Sequence, residues 1–162
     1  MKAHKRTIFI CQGAIIAASY VALTYVARMF GLDSGPIQVR LSEMLCILPM
    51  FTSAAIPGLY LGCLIANLLT GAVWLDILVG PVATVIGAIG TYALRKYKWL
   101  APLPPILSNT LIIPFVLSYG YEMEQAIPLM MVTVGIGEVI SVYVLGMIIY
   151  YALEKNAKKI FK

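Results

Sequence analysis

The sequence predicts an all-α integral membrane protein, a single domain over residues 1–162 that forms a six-transmembrane-helix bundle with the N and C termini cytoplasmic. Three observations predict this fold. Of the 162 residues, 61% are hydrophobic and only 12% are charged, which is about half the charged fraction of a soluble domain. The apolar residues form runs long enough to cross the hydrocarbon core of a bilayer. The positive charges fall into three clusters between these runs.

The basic clusters determine how many crossings to expect. Lysine and arginine concentrate on the cytoplasmic side of membrane proteins, so we expect all three clusters on that side. An even number of crossings must then separate each cluster from the next. The clusters are Lys2, Lys5 and Arg6; Arg95, Lys96 and Lys98; and Lys155, Lys158, Lys159 and Lys162.

Five apolar runs supply the crossings. Four of them have the length of one helix each, and they cover 7–28, 73–94, 103–118 and 127–153. The run 41–71 is too long for one helix and short for two, but the even count requires two. We therefore predict helix two over 41–55, a break at Pro57 and Gly58, and helix three over 57–70.

This topology puts three loops outside, over residues 31–39, 71–74 and 118–125. Asp33, Glu122 and Glu124 lie on these loops. Aromatic side chains gather at membrane interfaces, and three occur at or beside the same loops: Trp74, Tyr119 and Tyr121.

Two stripes of small residues recur at every fourth position. Such stripes let helix backbones approach closely. We expect the stripe on helix three to pack inside the bundle, whereas the stripe on helix one packs inside or faces another protein. The stripes are Gly58, Gly62 and Ala66 on helix three, and Ala14, Ala18 and Ala22 on helix one.

Polar side chains within the apolar runs are candidates for function, because ionisable groups are costly inside a membrane. The predicted topology puts most of them in the outer half of the bilayer and Glu138 deepest, as the floor of a pocket that opens outward. The others are Glu43, Asn67, Asp76 and Asn109.

Each of these residues also has a structural interpretation. Arg40 and Glu43 are three residues apart and pair on one helix face if that segment is helical. Asn67 joins helices, and Asp76 lies where a carboxylate suits a helix N-terminus. Glu138 has no lysine or arginine within a turn on its own helix, so it is either protonated or available to a ligand.

Carboxylates and amide carbonyls suit a ligand that is rich in N–H donors or positively charged. Arg40 is placed to hold an acceptor at the rim, and aromatic rings to stack on a planar ligand. A phosphorylated ligand is disfavoured because no basic cluster lies at this depth. The predicted ligand-binding residues are Arg40, Glu43, Asn67, Trp74, Asp76, Asn109, Tyr119 and Glu138.

Several classes of activity lack their motifs here. The chain has no phosphate-binding loop, no HExxH or GxSxG motif and no cluster of metal ligands. Its three cysteines show no CxxC spacing, and we expect them in the core. We therefore predict no enzymatic activity, no cofactor, no metal and no nucleic acid as partner. A partner must supply any ATP hydrolysis.

Two blocks of sequence resemble a known family. The stripe Ala14-xxx-Ala18-xxx-Ala22 resembles the substrate-binding S-components of energy-coupling factor (ECF) transporters. Within that class, "IQVRLSEMLCILPMFTSAAIPGLYLGCLIANLLTG", residues 37–71, is similar to the QueT family, and "DILVGPVATVIGAIGTYALR", residues 76–95, continues the match. The resemblance extends over essentially the whole chain.

The resemblance implies a six-helix fold in a prokaryotic plasma membrane and capture of a queuosine precursor for ATP-driven uptake. That ligand is a 7-deazaguanine, in the aminomethyl or cyano form, or queuine. The implied partners are an EcfT-like membrane coupling subunit and two cytoplasmic ATPases. The helix-one stripe then faces the coupling subunit. The resemblance does not indicate which residues hold the ligand.

Two other functions stay open at this point. A self-sufficient proton-coupled carrier would use Glu138 as its proton relay, and its uptake would survive loss of the ATPases. A membrane assembly factor without transport activity would bind no small ligand.

Overall fold

All regular secondary structure in the described part of the chain is helical. This part comprises residues 2–32 and 37–161 of a computed structural model. The predicted outer-loop residue Asp33 lies outside these described residues. The elements are α1 (Lys2–Met29), a 3₁₀ segment (Leu41–Met50), α2 (Ala55–Thr70), α3 (Trp74–Ala93), α4 (Leu103–Gly120), α5 (Ile127–Glu138), a π segment (Val139–Leu145), α6 (Gly146–Glu154) and α7 (Ala157–Ile160).

Four helices are long and apolar enough to cross a membrane: α1, α3, α4 and the continuous helix Ile127–Glu154 made by α5, the π segment and α6. The corresponding predicted crossings agree with them to within a few residues, and the prediction of an all-α membrane protein is confirmed for the described residues. The 3₁₀ segment and α2 are apolar but shorter. Six crossings and cytoplasmic termini stay predictions.

The prediction for helix two is wrong. Residues 41–50 form a 3₁₀ helix, the break falls at 51–54, and Pro57 lies in the first turn of α2. Pro49 explains part of the difference, because proline disfavours the α conformation in the residue before it. Proline is tolerated in a first helical turn, where its missing N–H is not needed, so Pro57 does not break α2.

The 3₁₀ segment returns the chain along the bundle, because α1 and α2 lie parallel. Gly58 packs on α1 so closely that a Cβ there would lie 2.7 Å from the carbonyl oxygen of Gly13. At the other end of both helices, Arg28 Nη1 donates to the carbonyl oxygen of Thr70 over 2.8 Å. A 3₁₀ helix rises about 2.0 Å per residue, so these ten residues span about 20 Å.

The following helices alternate in direction. Asn67 Nδ2 donates to the Asp76 carbonyl across the α2–α3 turn at 2.9 Å, and Ser108 Oγ donates to the Ala83 carbonyl between α3 and α4 at 2.9 Å. One end of the bundle therefore collects the ends of α1, α2 and α4 and the starts of α3 and α5. We call it the Arg28 end.

The two small-residue stripes lie in different surroundings. Gly58, Gly62 and Ala66 are buried against α1 or its neighbours, so the predicted internal packing of that stripe is confirmed. The stripe Ala14, Ala18 and Ala22 is exposed. Cys46 and Cys63 are buried as expected, but Cys11 is exposed beside the α1 stripe, so the prediction of a core position is wrong for that cysteine.

Candidate functional site

A cavity of about 640 Å³ lies at the Arg28 end; we call it cavity A. Its wall is built from α1, residues 38–42, the end of α2, the start of α3 and the segment after α4. This volume lies within the range of small-molecule sites, roughly 300–1,000 Å³. Three predicted ligand-binding residues line it: Arg40, Asn67 and Asp76.

Asp76 provides the buried charge of cavity A. It is in the first turn of α3 and is only 3% exposed. Its Oδ2 accepts a hydrogen bond from the Tyr121 hydroxyl at 3.1 Å and lies 4.0 Å from Arg40 Nη2. Its Oδ1 is buried without a hydrogen-bond partner among the described residues. An unpaired buried acceptor is costly, and Oδ1 lies on the side of Asp76 that faces Gly80, near the Asn67 amide.

The Tyr121 hydroxyl keeps its proton for this bond. Tyr121 directly follows the last residue of α4. Burial of its ring and the nearby Asp76 carboxylate raise the pKa of its hydroxyl group. A protonated phenol donates to a carboxylate. Tyr121 therefore holds Asp76 from the loop side of the cavity.

The structural interpretation in which Arg40 pairs with Glu43 does not hold among the described residues, where Arg40 forms an ion pair with Asp76. Arg40 has an extended backbone just before the 3₁₀ segment, so the helical i, i+3 geometry does not apply to it. Glu43 instead accepts hydrogen bonds from the Tyr20 hydroxyl and from the Cys46 thiol, whose Sγ lies 3.0 Å away. Glu43 thus fastens the 3₁₀ segment to α1.

Cavity A is more basic than the sequence predicted. Arg28 lines it together with Arg40. Both guanidinium groups already have protein acceptors, since Arg28 donates to the Thr70 carbonyl and Arg40 pairs with Asp76. The lining therefore combines one buried carboxylate with two engaged cations.

Glu43, Asn109 and Glu138 are buried side chains that do not belong to the described lining of cavity A. The prediction that Glu138 lacks a partner is wrong: the Asn109 side chain lies beside its carboxyl group, and Arg40 and Glu43 lie within electrostatic reach. One acceptor on each member of the pair, Glu138 Oε2 and Asn109 Oδ1, has no partner among the described residues. Direct contact of these residues with a ligand stays a prediction.

Trp74 and Tyr119 lie away from the described lining of cavity A. Their side chains are 70% and 72% exposed. The predicted depth of both residues fits the Arg28 end, but each ring faces outward from the bundle. Their stacking on a ligand stays a prediction.

The α1 wall of the cavity was not predicted from the sequence. Tyr20, Thr24 and Ala27 line it from successive turns. Their spacing, i, i+4 and i+7, is that of one helix face, and the two hydroxyl groups on an apolar helix were the available signal. Gln38 and Ser42, on either side of Arg40, were also missed.

Comparison with known families fits this architecture. Residues 10–155 match the model of a family described as QueT transporter. The chain belongs to the QueT transporter family. This confirms the resemblance found in residues 37–71 and 76–95. A member of a transporter family with several membrane-length helices is a multi-pass membrane protein, and the expectation that it is not an enzyme agrees with that family.

One curated relative of this QueT family member is named queuosine precursor transporter QueT and comes from Lactococcus lactis subsp. cremoris (strain MG1363). It is 35% identical over 94 residues, which is 57% of this chain. The match spans only 55% of the length of the relative. No solved structure matches the chain.

Proposed function

We propose that this chain is the substrate-binding S-component of an ECF-type importer and that it captures a queuosine precursor from outside the cell. The observation that carries the proposal is a cavity of ligand size lined by the buried side chain of Asp76, whose Oδ1 has no hydrogen-bond partner among the described residues. Membership of the QueT transporter family supports transport as the activity. The name of the Lactococcus lactis relative supports a queuosine precursor as the ligand.

The chemistry of a 7-deazaguanine fits cavity A. Its ring N–H and exocyclic amine lie side by side and donate to a carboxylate, while its ring carbonyl needs a donor. In our proposal Asp76 Oδ1 accepts from the donor edge, and Arg40 or Asn67 donates to the carbonyl. Glu43, Asn109 and Glu138 hold the surrounding helices in place, beyond the described lining.

The same proposal assigns the chain six crossings of a prokaryotic plasma membrane, with both termini cytoplasmic and the Arg28 end outside. The parallel arrangement of α1 and α2 supports it, because the chain must return across the bundle between them. The three basic clusters support the orientation.

The proposed partners are an EcfT-like membrane coupling subunit and two cytoplasmic ATPases. The exposed stripe Ala14, Ala18 and Ala22 supports a close helix contact with the coupling subunit, since small residues let helices approach in a membrane.

The test is a calorimetric titration of purified protein with the aminomethyl and cyano 7-deazaguanines and with queuine. We expect at least one to bind and Asp76→Asn to weaken that binding by about tenfold or more, since a hydrogen bond to a charged group contributes roughly 1.5–3 kcal/mol. Glu124→Gln, at an exposed carboxylate beyond α4, is the matched control. The proposal fails if no deazaguanine binds, or if Asp76→Asn binds as well as the wild type.

A further inference from the structure

A second cavity adjoins cavity A. Cavity B has a volume of about 330 Å³ and lies between the end of α4 and the start of α5. Gln38, Leu117 and Met123 line both cavities. These three side chains therefore form a shared wall, and a ligand bound in cavity A lies next to cavity B.

The two cavities differ in chemistry. Cavity A contains Asp76 and two arginines, whereas no ionisable side chain belongs to the described lining of cavity B. The polar groups of cavity B are two amides and a hydroxyl, from Gln38, Gln125 and Thr133, and the rest of its lining is apolar. Such a lining suits an uncharged group with a hydrocarbon body and a few hydroxyls, because the amides and the hydroxyl both donate and accept.

We propose that cavity B receives the uncharged end of the substituent on the five-membered ring of the ligand and that its lining selects queuine, whose substituent has an amine next to the fused rings and ends in a hydroxylated five-carbon ring. This inference rests on the proposed function. With the donor edge of the six-membered ring held at Asp76, the substituent extends from the other ring of the fused system. The two hydroxyls bind the Gln38 and Gln125 amides or Thr133, and the carbon ring packs on Met123 and its apolar neighbours.

Thr133 is the best position for a test. It lies on α5 in the wall of cavity B and is absent from the lining of cavity A. Its hydroxyl donates to the Met130 carbonyl in its own helix over 3.1 Å, which leaves its lone pairs free to accept. The neighbouring residue Val132 is 58% exposed, so it offers a control for the same increase in side-chain size on the outer face of α5.

The experiment compares the affinity of wild type, Thr133→Phe and Val132→Phe for queuine and for the cyano 7-deazaguanine, whose substituent is short. We expect Thr133→Phe to lower the affinity for queuine by about tenfold or more, because the larger side chain fills cavity B. Its affinity for the cyano ligand should fall by less than about threefold. Val132→Phe should change neither. Thr133→Val keeps the shape of the side chain but removes one hydrogen bond, so it should lower the affinity for queuine alone by about two- to tenfold. This variant tests the proposal if Thr133→Phe does not fold.

The outcomes separate this inference from the proposed function. Failure of every deazaguanine to bind wild type would overturn both. If the aminomethyl and cyano ligands bind but queuine does not, only the assignment of cavity B is overturned. Equal losses for queuine and the cyano ligand in both Thr133 variants, or no loss in either, would overturn it as well.

Discussion

Replacing Glu138 by glutamine tests how the buried polar side chains are satisfied. The Glu138–Asn109 pair contains two acceptors without described partners, Glu138 Oε2 and Asn109 Oδ1. A glutamine amide would offer an N–H donor to Asn109 Oδ1 and a carbonyl acceptor to the Asn109 amide. Two side-chain amides can then form two hydrogen bonds with each other.

The expected gain follows from these contacts. An unsatisfied buried polar group costs about 1–3 kcal/mol. We expect a net gain of about 1–2 kcal/mol in unfolding free energy, or an increase of a few degrees in Tm, at about 2–4 °C per kcal/mol for a domain of this size.

The assay is thermal unfolding of the purified protein in detergent, followed by tryptophan fluorescence, with ligand titration alongside. Glu138→Leu is the control, because it leaves both polar atoms of the Asn109 amide without this partner and should lower stability by about 1–3 kcal/mol. Ligand affinity of Glu138→Gln should stay within about threefold of wild type. Lower stability of Glu138→Gln would refute the pairing argument, and a tenfold loss of affinity would show that Glu138 reaches the ligand.

Two further predictions concern topology and assembly. A cysteine label at Glu122 should react from outside the cell and one at Lys98 only after permeabilisation; external labelling at Lys98 would contradict the six-crossing topology. Ala18→Trp should prevent assembly with the coupling subunit, measured by co-purification, and leave ligand affinity of the isolated protein unchanged. Ala17→Trp, on the buried face of α1, should instead unfold the isolated protein, and equal unfolding by Ala18→Trp would refute the partner assignment.

Long apolar runs made most of the fold predictable. The crossings at α3 and α4 required only length and composition, and their predicted limits lie within two residues of the observed ones. The 3₁₀ segment was not predictable in the same way, because Leu41–Met50 is apolar apart from Ser42 and Glu43 near its start. So few polar positions give no period that separates an α-helix from a tighter one.

Depth in the membrane was more predictable than the direction in which each side chain faces. Trp74 and Asp76 are two residues apart on α3, yet one is exposed and the other lines cavity A. In a soluble helix the apolar face indicates the inside. Lipid tails are as apolar as leucine, so a membrane helix lacks that signal. Tyr20 was missed for the same reason, since only its own hydroxyl group and that of Thr24 mark this face of α1 as the inner one.

The arrangement of hydrogen-bond donors explains why an arginine and three buried acidic side chains occur together in such an apolar bundle. Glu43 is satisfied by Tyr20 and Cys46, and Glu138 has Asn109. Arg40 is therefore free to approach Asp76, the carboxylate that lines cavity A, and it does so at Oδ2. A ligand that donates to Oδ1 adds its hydrogen bonds without displacing the guanidinium. Because the carboxylate stays paired, an uncharged donor edge is sufficient for recognition, and the cyano ligand should bind without the positive charge of the aminomethyl form.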